Sequence, residues 1–152
     1  MPKRPKLNRQ QGFTVIELVV VLLIIVILSA IIIAGYSGIK AKERNVERKN
    51  DIDLLQSQFE YYYAKTNRYP SLSQANSVSW DTKNLREFNK EILRDPLVRS
   101  YELAPAPEAQ KYAYNVLTAD GQPCDNNQKT CTQYTLTATY EGGNTYTRTS
   151  RN

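Results

Sequence analysis

The hydrophobic pattern divides the chain into two unlike parts. From Leu18 to Ile33 the positions are apolar almost without interruption, Ser29 being the exception. The wider stretch 13–35 holds 23 residues and a single charge, Glu17. As a helix rising about 1.5 Å per residue it would reach roughly 35 Å, enough to cross a hydrocarbon core of about 30 Å. In lipid the backbone must satisfy its own polar groups, so helix is expected despite the many β-branched residues. Residues 40–63 contain no Pro or Gly and abound in Lys, Glu, Arg and Gln, which predicts that the helix continues. Glu43 and Glu47, and Arg44 and Arg48, stand four apart and predict a charged, solvated face. Ile52, Leu55, Phe59, Tyr62 and Tyr63 fall at helical spacing and predict a core-facing stripe. The aromatic cluster of Phe59, Tyr61, Tyr62, Tyr63 and Tyr69 reads as helix-against-sheet packing rather than a stacking platform.

Further on, Asn67-Arg68-Tyr69-Pro70-Ser71 ends the long helix. Residues 81–93 predict a second, short helix with Leu85, Phe88 and Ile92 on one face, stopped by Asp95-Pro96. The last third alternates. Tyr112, Tyr114 and Val116 interleave with Ala113 and Asn115. Tyr134, Leu136, Ala138 and Tyr140 interleave with Thr135, Thr137 and Thr139. Glu141-Gly142-Gly143-Asn144 reads as a hairpin turn, followed by a strand through Arg148. The expected fold class is α+β, with a long N-terminal helix packed on a small antiparallel sheet. The organisation is a leader at 1–12, an apolar helix at 13–35, an amphipathic continuation at 36–66 and a globular head at 67–152.

Composition sharpens this picture in three places. The length of 152 residues suits one domain plus an extra element. Lys3, Arg4, Lys6 and Arg9 give the first twelve residues a charge of +4, leaving sixteen basic against fifteen acidic residues elsewhere, so the basic balance is poor evidence for nucleic-acid binding by the head. A basic flank before the span places the N-terminus in the cytoplasm and the head outside. There is no histidine, which removes the commonest general base and metal ligand. Two cysteines, Cys124 and Cys131, cannot build a four-ligand cysteine–histidine zinc site, and for a head outside the cell they read as a disulfide closing a short loop. On hydropathy alone an ordinary secretory signal or plain signal anchor accounts for the N-terminus as well as any more specific reading, although the apolar stretch is longer than the usual signal core.

Glu17 breaks that tie. A charge this deep in an apolar helix costs about 2.5–3.5 kcal/mol on insertion scales and calls for a partner. The surrounding sequence is Gln11-Gly12-Phe13-Thr14-Val15-Ile16-Glu17-Leu18. With its short basic leader and immediate apolar run, it resembles the N-terminal signal of type IV prepilins and type II secretion pseudopilins. That resemblance implies cleavage by a prepilin peptidase between Gly12 and Phe13, N-methylation of Phe13, and a role for Glu17 and Phe13 in subunit assembly. The new α-amino group, with a pKa near 8, would pair with the Glu17 carboxylate of a neighbouring subunit. The close resemblance covers residues 1 to about 40. One departure is the lack of a proline between Pro5 and Pro70, where many pilins carry one. Gly35 and Gly38 stand at that stretch and fit local bending or close helix packing equally well. The Tyr69-Pro70 and Asp95-Pro96 pairs are similar to those of major pseudopilins, whereas Leu97-Val98 departs from the Trp-Gly that often follows there.

The expected function is a structural subunit of a type IV pilus-like filament. The alternative is a pseudopilin of type II secretion, and the rival of another class is a non-polymerising, membrane-anchored binding domain. Expected partners are further copies or other pilins, prepilin peptidase, membrane lipid before assembly, and the platform protein and ATPase that the resemblance implies. The expected location is the cytoplasmic membrane, then a surface filament. No catalytic constellation or cofactor is expected. Asp120 and Asp125 are the candidate ligands for a calcium ion, although no EF-hand pattern is present and turns favour Asp in any case. Arg148 and Arg151 read as solvated, so DNA is not an expected partner.

Overall fold

The computed structural model describes residues 12–86 and 88–152; the leader 1–11 and Glu87 lie outside the described residues. Two compact units result, one ending at Lys40 and one beginning at Ala41.

In the first unit, helix α1 (Val15–Thr66) begins. Its most apolar window has a mean hydropathy of 3.4 and none of it is buried within the chain, so by length and composition the helix can cross a membrane. Phe13, Leu18, Ile24, Ile33 and Ile39 are all exposed. The hydroxyl of Ser29 donates to the Ile25 carbonyl at 2.7 Å, which satisfies the one polar side chain of the run inside its own helix. The backbone stays helical through Gly35 and Gly38, and a Cβ added at Gly38 would meet nothing within 4 Å, so Gly38 makes no close approach among the described residues.

In the second unit, the remainder of α1 lies under a three-stranded antiparallel sheet of β1 (Ala113–Leu117), β2 (Gln133–Thr139) and β3 (Thr145–Thr149), in that order. Tyr114 stands opposite Leu136, and Val116 opposite Tyr134, so the aromatic and aliphatic side chains share one face. That face meets Ile52, Leu55, Phe59 and Tyr62, all buried. The Phe59 ring sits 4.7 Å from Tyr114 and 5.8 Å, edge-on, from Tyr134. Such pairs add about 0.5–1.5 kcal/mol each beyond area burial. Tyr61 points elsewhere, with the Lys65 ammonium 4.2 Å from its ring centre. The helix ends as Asn67 enters the left-handed region at φ 54° and its N–H returns to the Tyr63 carbonyl at 2.8 Å. In the β2–β3 hairpin, Gly142 and Gly143 take φ of 105° and 89°, values that L side chains rarely adopt.

The structure departs from the sequence expectation in three places. The helix expected over 81–93 is instead α3 (Val78–Asn84) and a separate 3-10 turn (Lys90–Leu93). Leu85 turns extended (φ −100°, ψ 153°) and inserts into the core, while the Arg86 amide donates to the Gln58 side chain at 3.0 Å. A second short helix, α2 (Leu72–Ala75), was not anticipated. Its signal is a capping box, in which Ser71 accepts from the Gln74 amide and Gln74 accepts from the Ser71 amide at 2.9 Å. Third, Arg48 does not lie on a solvated face. It is 1 % exposed, and its pairing is described below.

Asp81 on α3 is fully buried, and among the described residues neither carboxylate oxygen has a hydrogen-bond partner. Burial alone pushes its pKa up to about 7. An acid whose folded pKa is raised stabilises the fold less and less as pH climbs from the ordinary carboxylate range to the folded value. Replacing Asp81 by Asn should therefore raise thermal stability at pH 8, by up to about 4 kcal/mol, with the gain shrinking towards pH 4. Melting curves across that range check it; an Asn variant less stable at pH 8 contradicts it.

Candidate assembly site

Gly12 and Phe13 precede the first turn of α1 in non-helical backbone, and Phe13 is 91 % exposed. Nothing lies within 4 Å of a Cβ built on Gly12. Among the described residues, nothing covers this pair. At the helix start, Thr14 and Glu17 form a reciprocal cap. The Glu17 Oε2 atom accepts from the Thr14 amide and from the Thr14 hydroxyl, both at 2.9 Å, and the Glu17 amide donates to Thr14 Oγ1 at 3.3 Å. Sequence reasoning sought the partner of Glu17 in a neighbouring subunit. The T-x-x-E spacing of a capping box was the signal for this internal one. Both donors fall on Oε2, and among the described residues Oε1 accepts no hydrogen bond. An acceptor therefore remains on an exposed apolar helix.

The head carries its strongest electrostatics at Arg48. Its guanidinium forks onto Asp95, Nε to Oδ2 at 2.6 Å and Nη2 to Oδ1 at 3.0 Å, with both side chains about 2 % exposed. Its Nη1 donates to Asn45 at 2.8 Å and to Glu141 at 3.3 Å. Arg44 also forks onto Glu141, one of its bonds being 2.7 Å. Hydrogen bonds and charge from Arg44 and Arg48 hold the Glu141 carboxyl down at about 2. One cluster thus ties α1 to the turn at Asp95-Pro96 and to the β2–β3 hairpin. Beside it, Asp51 accepts from the Tyr112 hydroxyl at 2.7 Å, and burial lifts its pKa to about 6.

Cys124 and Cys131 are joined by a disulfide with Cα atoms 5.3 Å apart. Asp125 Oδ1 accepts from the amides of Asn127, Gln128 and Lys129 at 2.9, 2.9 and 3.2 Å, which holds its carboxyl below the usual range. That oxygen is engaged in shaping its own loop. Asp120 lies on the separate turn that Gly121 closes with an N–H to the Thr118 carbonyl. Among the described residues no three His, Cys, Asp or Glu side chains gather to hold a metal. Arg148 donates to Asp53 at 2.7 Å and stands over the Tyr146 ring, so it is an ion-paired surface residue rather than a freely solvated one.

Comparison with known proteins bears on the N-terminal geometry and on the head together. The family profile described as "Prokaryotic N-terminal methylation motif" matches residues 7–33. Across 124 residues the chain is 35 % identical to the type II secretion system core protein G of Aeromonas hydrophila, covering 76 % of this chain and 87 % of that protein. The chain belongs to the type II secretion core protein G family of pseudopilins. The protein of the same name from Pectobacterium carotovorum is 28 % identical over 124 residues, covering 76 % of this chain and 80 % of the relative. That of Klebsiella pneumoniae is 27 % identical over 131 residues, covering 80 % and 93 %. No solved structure matches the chain. These relatives favour the secretion pseudopilin, given above as the alternative, over the type IV pilus. The absence of Trp-Gly after Asp95-Pro96 therefore does not separate this chain from core protein G.

Proposed function

We propose that this chain is a pseudopilin subunit of a type II secretion machine, stored in the membrane by α1 and polymerised through it. The observation that carries this reading is the conjunction at the N-terminus: an exposed Gly12–Phe13 pair, a Glu17 oxygen without a partner among the described residues, and an apolar stretch of α1 of which nothing is buried. Membership of the core protein G family supports the secretion branch. Prepilin peptidase cuts after Gly12 and methylates the Phe13 amine. In lipid, an uncovered aliphatic helix is at home; outside lipid it is stable only when packed on its copies. Glu17 then pairs with the Phe13 amine of the next subunit, which removes two charges from a low-dielectric core at once and fixes the stagger between helices. The head, outside the membrane, coats the resulting filament. An inner-membrane platform and a cytoplasmic ATPase supply the work of extraction. The function is structural, with no reaction carried out by this chain.

The secretion branch and the pilus branch part at one experiment. Deleting the gene should leave proteins that the machine exports inside the cell envelope, with surface pili unchanged, and plasmid-borne chain should restore export. Intact export together with lost pili would transfer the assignment to the pilus branch.

A further inference from the structure

We propose that the Cys124–Cys131 bridge is a redox-controlled latch on the junction between α1 and α2, and that its closed form is the one competent to join a filament. The last step rests on the assembly reading above. Three contacts carry the latch. The Tyr69 amide donates to the Cys131 carbonyl at 2.8 Å. The side-chain amide of Asn126 donates to the Tyr69 carbonyl at 2.7 Å and to Gln74 Oε1 at 2.9 Å, while its oxygen accepts from the Cys131 amide at 3.0 Å. Gln74 is the residue that closes the α2 capping box, so the loop grips both the chain entering α2 and the cap that starts it.

The loop can do this only in a bent form. Asn126 adopts a φ of 63°, in the left-handed region that Asn enters more readily than other side chains. Asp125 spends one carboxylate oxygen on three amides of the same turn. The disulfide closes the segment at its base and cuts the number of open conformations that compete with this bend. Cys131 is fully buried and Cys124 is half-buried, so a reductant approaches from the Cys124 side. Reduction by a dithiol moves two electrons into the S–S bond. The bond breaks, each sulfur takes a proton to become a thiol, and the reductant leaves as its own disulfide. With the base open, Asn126 is free to leave its left-handed conformation, and the backbone of Tyr69 and the side chain of Gln74 lose their contacts with the loop. The Tyr114 hydroxyl, which donates to the Pro70 carbonyl at 2.8 Å, does not involve the loop and keeps the core side of the junction in place. The opening is therefore local.

Hydrogen exchange on the full-length chain in detergent, oxidised and then treated with dithiothreitol, reads the latch directly. Reduction should accelerate exchange of the Tyr69 and Cys131 amides by at least about tenfold. The Tyr140 amide, bonded to the Asn144 carbonyl in the β2–β3 hairpin, should be unchanged. Asn126→Gly, which tolerates the same φ but lacks the amide, should reproduce the acceleration with the bridge intact. Filament yield from the Cys124→Ser/Cys131→Ser chain should fall in parallel. Unchanged exchange at Tyr69 after verified reduction overturns the latch. Accelerated exchange with normal filaments overturns its control of assembly. Failure of the oxidised wild type to form filaments would instead strike the assembly reading, leaving the exchange result to judge the latch.

Discussion

Replacing Arg48 by Ala should destabilise the head by about 3–5 kcal/mol, because Asp95 would be left buried and charged without its partner. The expectation follows from geometry. Two parallel N–H···O bonds at 2.6 and 3.0 Å join groups that are each about 2 % exposed, so water cannot take the place of either. The same substitution removes donors to Asn45 and Glu141. Glu141 titrates low, so its part in the cluster is complete above the ordinary carboxylate pKa and is lost as pH falls towards about 2. The Arg48→Ala penalty should instead grow as pH rises above the ordinary carboxylate range, because the orphaned Asp95 escapes its buried charge only by holding a proton. Pairing Arg48→Met with Asp95→Leu should recover much of the loss, since the buried charge is then gone. Urea unfolding of the single and double variants measures both. A single-variant loss under about 1 kcal/mol would mean that the pair is open to water.

Glu17→Ala should abolish filament assembly while leaving the chain in the membrane. That outcome alone is ambiguous, because Glu17 also caps its own helix through Thr14. Loss of a cap costs about 1 kcal/mol, too little to account for a complete failure to assemble. Glu17→Gln separates the two roles. Glutamine serves the capping box as well as glutamate does, but it carries no charge to pair with a neighbour's amine. Assembly should fail with Gln as it does with Ala, in sheared-filament yields from equal amounts of membrane protein. Wild-type yields from Glu17→Gln would reduce the residue to a helix cap and remove the charge-pairing account.

Much of the fold was legible because each element is written in a strong local code. The apolar run leaves only helix, the alternation at 134–140 leaves only a strand, and two consecutive glycines force the hairpin. Expectations failed where long-range pairing overrode local pattern. Arg48 belongs to a run of charges that reads as solvated, and its partner Asp95 lies 47 residues away in a turn that reads merely as a helix stop. Leu85, Phe88 and Ile92 fit one helical face, yet they reach the core from different backbone, Leu85 in extended conformation and Ile92 in the 3-10 turn. At the N-terminus the residue types were legible and their internal use was not: Glu17 was read for what it does between chains, although its spacing from Thr14 also codes for a cap within one.

The central claim is that this pseudopilin is processed and polymerised through its N-terminus, and the intact mass of the protein from its native membrane tests that most directly. A chain beginning at singly methylated Phe13 is the predicted result. A chain retaining Met1 to Gly12 in cells with active prepilin peptidase, or one cut instead near Ala34, would contradict it.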